Sequence, residues 1–297
     1  MGAGVEQRSF FYSASDGLRL HARIHGRDNG YLPVVCLPGL TRNARDFGML
    51  AEMLASDGER PRRVISFDYR GRGLSARDRD WRNYDVLNEA ADVVAGLIAL
   101  DIEHAAFIGT SRGGLIIHAL AAMRPGLMEA VVLNDIGPRI DGAGLAQIRA
   151  YLERAPKPKS LKEAIAIQRA AVGASFPALD DADWQRMVAA IYDDKDGRLE
   201  PAYDEKLLKT VTGVDLNRPL PELWPQFAGL AGVPLLVLRG ENSKLLSAET
   251  LGEMATRHPD IETVTVAGQG HAPLLETGTL PGTIKAFLKR AEDRMAH

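Results

Sequence analysis

The chain of 297 residues has a single cysteine, Cys36, so no internal disulfide can form. A chain this long can bury a core large enough to do without one, and low cysteine use fits a reducing compartment. A dominant charge is missing too. Thirty-six Lys and Arg against 39 Asp and Glu leave a formal net charge of −3. A phosphate backbone needs a basic footprint, which excludes nucleic acid as the main partner. Apolar runs of membrane-spanning length are lacking, since even Leu115–Met123 is interrupted by His118. The opening MGAGVEQRSF has no signal-peptide core, and after Met1-Gly2 the residue at position 6 is Glu6, where N-myristoylation needs Ser or Thr. A soluble cytoplasmic protein, monomer or homodimer, acting on a small molecule away from membranes, is expected. Nucleotide, dinucleotide and metal motifs are absent: there is no GxxxxGK[ST], no GxGxxG after the first parallel strand, no HExxH and no paired CxxC. No cofactor and no metal are expected.

What remains is ordinary globular composition, 45% hydrophobic and 25% charged. Gln7–Ser13 and Leu18–His25 read as a hairpin around Asp16-Gly17. In its second arm Leu18, Leu20, Ala22 and Ile24 alternate with Arg19, His21, Arg23 and His25, which predicts a half-buried edge strand. Short apolar runs follow at 33–37, 64–67, 105–108, 130–133, 235–238 and 264–266, the pattern of strands buried on both faces. Helical spacing fills most gaps. In Tyr84–Asp101, Val86, Leu87, Ala90, Val93, Val94, Leu97 and Ile98 share one face. Strand alternating with helix predicts an α/β fold with a mostly parallel central sheet flanked by helices.

Between Asp135 and Val233 no buried-strand run occurs. Helical patterns at 144–154, 160–172, 181–192 and 204–210, punctuated by residues such as Pro156 and Gly197, predict a helical cap inserted after the sixth strand. The expected division is core 1–135, cap 136–232 and core 233–297.

The sharpest motif is Gly109-Thr110-Ser111-Arg112-Gly113, a GxSxG entered by a strand and left by a helix. Such an elbow presents the serine hydroxyl at the carboxyl edge of the sheet beside a helix N-terminus, and its glycines avoid collisions with neighbouring backbone. Ser111 is the candidate nucleophile. It needs a base. His271, in Gly270-His271-Ala272-Pro273 after the last strand, reaches the same edge; the other histidines, from His21 to His297, sit in worse places.

The hairpin, the Pro38-Gly39-Leu40 turn, the Asp68–Ser75 segment, the elbow and the late Gly-His together resemble the α/β-hydrolase fold superfamily, and within it small bacterial capped esterases and lactonases. The resemblance covers Gln7 to about Ala291. It implies an oxyanion hole built from the backbone N–H groups of Leu40 and Arg112. Arg112's side chain is then free either to meet an acidic substrate group or to make a structural ion pair. The resemblance also implies an acid in the loop after the post-cap strand. There, in Gly240-Glu241-Asn242-Ser243-Lys244-Leu245-Leu246-Ser247, the aspartate position holds Lys244. Asp135, 24 residues after Ser111 and at the end of the preceding strand, is the substitute that some members of the superfamily use. Its alternative role is to cap or anchor the inserted segment. Of the segment's aromatics, Trp184 and Trp224 are candidates for a substrate pocket.

A serine rather than an aspartate in the elbow speaks for ester or lactone hydrolysis through an acyl-enzyme, and against haloalkane dehalogenase or epoxide hydrolase chemistry. C–C bond hydrolysis, or a ligand-binding protein with catalysis weakened by Lys244, stands as the alternative.

Overall fold

The computed structural model describes residues 5–154, 157–216 and 218–295. Met1-Gly2, Pro156 and His297 lie outside the described residues. An eight-stranded sheet runs in the order β1 (Gln7–Ser13), β2 (Arg19–His25), β4 (Val64–Asp68), β3 (Val34–Leu37), β5 (Ala105–Thr110), β6 (Met128–Asn134), β9 (Leu235–Gly240) and β10 (Ile261–Val266). The β1–β2 and β2–β4 pairs are antiparallel and the rest parallel. This is an α/β-hydrolase fold.

The inner strands are apolar throughout because both faces are covered. Val35, Leu37, Phe107, Val131 and Val237 point to one core, shared with α2 (Val86–Ala99) and α3 (Arg112–Met123). Their sequence neighbours Cys36, Ile108, Val132 and Leu236 point to the other, under α1 (Gly48–Ala55) and α10 (Leu280–Met295). Cys36 is a buried core residue there, its thiol pushed up to about 12 by burial. Met254, on α9 (Ala248–Arg257), joins the first core.

Several expectations need correction. β2 is no edge strand: β1 takes the edge and β2 lies between β1 and β4. His21 and His25 are therefore buried, with His21 Nδ1 2.7 Å from Asp68 Oδ2 and His25 Nε2 3.2 Å from Gln7 Oε1. β10, expected to be buried on both faces, is the opposite edge and half exposed. On α2, Leu87 and Ile98 are 64% and 68% exposed, while Glu89 and Asp92 are buried. The reason lies beneath the helix, where Arg70 pairs with Asp92 at 2.7 Å and Arg72 with Glu89 at 2.6 Å, which turns the acidic stripe inward.

The segment between β6 and β9 holds α4 (Gly142–Arg154), α5 (Leu161–Val172), α6 (Asp181–Ala189), α7 (Lys209–Thr212) and α8 (Trp224–Ala228). It is not wholly helical. β7 (Tyr192–Lys195) and β8 (Arg198–Pro201) form an antiparallel hairpin. Its turn, Asp196-Gly197, has φ of 53° and 77°, the paired positive values that an Asp-Gly hairpin turn adopts. The Asp-Gly signal was present, but the strands are short and polar.

His118, inside α3, is fully buried, and burial lowers its pKa to about 4. The fold holds the neutral ring, so the unfolded chain takes up the proton first as pH falls. Stability conferred by neutral His118 should be complete above about pH 6.5 and should decline towards pH 4, by roughly 3 kcal/mol. Denaturant titrations across that range should show the decline, and His118→Leu should flatten it.

Candidate active site

Parallel register brings four loops to one edge. Leu37 pairs with Gly109, Thr110 with Asn134 and Asn134 with Leu238, so β3, β5 and β6 end within one residue of a common level and β9 runs two residues further, to Gly240. The next residues carry the chemistry.

Ser111 sits at φ 52° and ψ −112°, at the start of α3. Its own N–H donates to Asn134 O at 3.0 Å. The elbow's tightness is measurable at Gly113: a Cβ there would lie 2.0 Å from Leu37 O. The structure brings Ser111, His271 and Asp135 together. Ser111 Oγ is 2.9 Å from His271 Nε2, and His271 Nδ1 is 2.8 Å from Asp135 Oδ2. An ionised carboxylate only accepts, so a neutral ring with Nδ1–H towards Asp135 leaves Nε2 free to accept the serine proton. Asp135 is buried and held from both sides: its N–H donates to Leu238 O at 2.7 Å, and its Oδ1 accepts from Gly240 N at 2.9 Å.

The loop carrying His271 is clamped by residues that the sequence did not single out. Asn134 donates from Nδ2 to Pro273 O at 3.0 Å, and Gln269 Oε1 accepts from Leu274 N at 2.8 Å. Neither belongs to a recognisable motif.

Leu40 and Gly39 stand over the serine; a Cβ on Gly39 would be 3.9 Å from Ser111 Cβ. Arg112 does not reach for an acidic group in the cavity. Its Nε donates to Glu89 Oε2 at 2.5 Å and its Nη2 to Tyr84 O at 2.9 Å. Lys244 is exposed, lines the cavity and forms no ion pair among the described residues.

A cavity of about 1090 Å³ opens over Ser111 and His271. Leu145, Ile148, Tyr151, Phe176 and Met187 supply apolar walls. Arg42 enters beside them, paired to Asp46 at 2.6 Å. Glu276 also lines it, its carboxyl pushed up by burial and then by the negative charge of Asp46. Trp184 and Trp224 do not line it. Trp184 packs edge-on behind Phe176, with ring centroids 6.1 Å apart. Trp224 packs on Phe227, with the Arg257 guanidinium 4.1 Å above its ring. Both are large apolar surfaces used in packing, and in front of Trp184 it is Phe176 that faces the space.

Among the described residues no group of three or more His, Cys, Asp or Glu is placed to hold a metal ion. No described helix is long and apolar enough to cross a membrane.

Comparison with known proteins gives a consistent picture. Residues 34–279 match the Alpha/beta hydrolase family. The 3-hydroxybutyrate-oligomer hydrolase of Cupriavidus necator is 34% identical over 252 residues, covering 81% of this chain and 82% of that protein. The 2-(acetamidomethylene)succinate hydrolase of Mesorhizobium japonicum is 30% identical over 274 residues, covering 91% and 92%. The crystal structure of an alpha/beta hydrolase from Novosphingobium aromaticivorans superposes with a TM-score of 0.86 at 38% identity, covering 98% of this chain and 100% of that one.

The elbow generates a direct expectation. Gly113→Ala places a methyl group against the Leu37 carbonyl, and backbone cannot yield as a side-chain tip does. The variant should melt at a lower temperature by thermal denaturation, with a loss of about 1–3 kcal/mol or more.

Proposed function

The chain belongs to the Alpha/beta hydrolase family and is a hydrolase of that fold, and from this premise we propose that it is a serine hydrolase that cleaves carboxylic esters through an acyl-enzyme. The observation that carries the reading is the unbroken line from Ser111 Oγ through His271 to Asp135, at 2.9 and 2.8 Å, opening into the large cavity.

Ser111 attacks the ester carbonyl while His271 Nε2 takes its proton. The buried Asp135 carboxylate orients the ring and stabilises the imidazolium that forms. The backbone N–H groups of Leu40 and Arg112 receive the oxyanion, an effect of about 10²–10³ in rate per donor in serine hydrolases. His271 returns the proton to the leaving alkoxide, and water repeats the cycle on the acyl-enzyme. Residues 136–232 act as the cap that walls the cavity. The reading of an impaired, ligand-binding scaffold rested on Lys244; a carboxylate on His271 from the neighbouring strand removes its motive.

The relatives' names suggest a substrate class. A 3-hydroxybutyrate oligomer is a chain of ester-linked hydroxy acids with a free carboxylate, and a succinate is likewise anionic. The cavity, at about 1090 Å³, has the volume for more than one such unit, and Lys244 is an exposed cation at its wall that forms no ion pair among the described residues. An ester that bears a carboxylate is the substrate class that these features favour.

Nitrophenyl ester turnover, with mass-spectrometric detection of a serine-directed phosphonate on Ser111, tests the chemistry. Ser111→Ala should abolish both, and persistent turnover in that variant would refute the reading. Asp135→Asn should fold normally and lower kcat by as much as the roughly 10⁴ seen for the equivalent change in a serine protease. A Lys244→Asp variant with steeply raised activity, beside an Asp135→Asn variant with little loss, would instead mark position 244 as the disabled acid site. Lys244→Ala should leave neutral esters unaffected and raise KM for an anionic hemiester.

A further inference from the structure

Behind the oxyanion loop lies a charged cluster that the hydrolytic steps do not use. Glu89 on α2 is completely buried, as is the Arg72 side chain. Glu89 Oε1 is 2.6 Å from Arg72 Nη1, and Glu89 Oε2 accepts from Arg112 Nε at 2.5 Å. Arg72 also donates from Nη1 to Arg70 O at 2.7 Å and from Nε to Leu40 O on the oxyanion loop at 2.8 Å, while its buried Nη2 has no hydrogen-bond partner among the described residues. One carboxylate is thus linked directly to Arg112 and, through Arg72, to Leu40, the two residues assigned to the oxyanion hole under the proposed function.

The linkage acts on the relevant peptide plane. In a trans peptide the N–H of Leu40 points opposite to the C=O of Gly39. Gly39 O accepts from Arg42 N at 3.2 Å, which aims the Leu40 N–H the other way. The flanking carbonyls are fixed as well: Pro38 O by the Tyr69 hydroxyl at 3.2 Å and Leu40 O by Arg72. On the other donor, Arg112 is the first residue of α3, and its side chain is tied down to Glu89 and to Tyr84 O.

A buried ion cluster is a poor way to gain stability, because apolar residues of the same volume usually do as well or better. Its geometry has to be explained by what it holds. We propose that Glu89 is a positioning residue that sets both oxyanion amides through Arg72 and Arg112. The inference rests on the serine-hydrolase reading above. It adds a residue, 22 positions before Ser111 on a different helix, that touches neither substrate nor reacting atoms.

Oxyanion donors act on the transition state more than on bound substrate, and a displacement of about 1 Å can cost about 10²-fold. The test is Glu89→Gln, which keeps the shape and removes the charge. Kinetics should be normalised to active sites titrated with the phosphonate. The expected result is a kcat at least about tenfold lower with KM changed less than about threefold. Affinity for a trifluoromethyl ketone, which forms a tetrahedral adduct on the serine, should fall in parallel with kcat/KM. A purely structural role would lower the melting temperature and leave kcat per active site and ketone affinity unchanged, which would overturn the proposal.

Arg72→Lys supplies an independent arm. It keeps a cation opposite Glu89 and loses the Nε donor to Leu40 O, so it should fold and show the same kcat and ketone losses. Full kcat in Arg72→Lys would overturn the proposal even if Glu89→Gln proved insoluble. Aggregation of both variants would also overturn it, by making the cluster a folding element alone. Failure of the underlying reading is distinct, because Ser111→Ala would then retain turnover whatever happens at Glu89.

Discussion

The ladder between β5 and β6 is the constraint on which the site depends. It pairs Thr110 with Asn134 and continues one step past the strands, where the Ser111 N–H donates to Asn134 O at 3.0 Å. Ser111 and Asp135 therefore leave adjacent strands at the same level. A strand rises about 3.3 Å per residue and its side chains alternate in direction. A slip of one residue would carry Asp135 out of reach of His271 and replace it with a neighbour facing the other way. The backbone at both positions is in the left-handed region, with φ of 52° and 56°. Two non-glycine residues in that region lie on the two strand ends where side chains must turn towards a common histidine.

The same register fixes which carboxylate meets His271. β6 and β9 are neighbours, with Asn134 beside Leu238. Asp135, just past the end of β6, reaches the His271 ring nitrogen, and Gly240 on β9 contributes an amide to its second oxygen at 2.9 Å. β9 thus supports Asp135 through the Gly240 amide, and a lysine at position 244 is compatible with a histidine already paired to a carboxylate from β6.

Much of this was legible in the sequence, and the parts that were not share a cause. The buried strands, the elbow, His271 and the inserted segment each rest on local signals: an apolar run, a glycine spacing, a helical period. Asp135 was legible only as one of two readings, because nothing local separates an acid from a cap. The errors came where tertiary partners decide. β2 has the alternation of an edge strand, yet β1 covers its free side. α2 has an apolar stripe, yet Leu87 and Ile98 at its margin face solvent because buried arginines attract Glu89 and Asp92. Trp184 and Trp224 are the conspicuous aromatics of the inserted segment, yet Trp184 is buried behind Phe176 and Trp224 packs half-buried against the main core beneath Arg257. The polar clamps at Asn134 and Gln269 bridge loops distant in sequence and leave no pattern along the chain.

The Arg70–Gly73 turn draws these threads together. It is a junction between the buried ion pairs and the inserted segment. Gly73 is required there, because a Cβ would lie 2.2 Å from Asp68 Oδ2. With that turn closed, Arg70 faces Asp92 and Arg72 faces Glu89 and Leu40 O. Outward, the turn receives the segment that roofs the cavity: the Gly73 N–H donates to Ala202 O at 2.8 Å, the Asp204 N–H donates to Gly71 O at 2.7 Å, and the Tyr84 hydroxyl donates to Asp204 Oδ2 at 2.6 Å. The segment that walls the cavity and the loop beside Ser111 therefore hang from one support. Both are referred to the same few buried charges, Arg70 with Asp92 and Arg72 with Glu89.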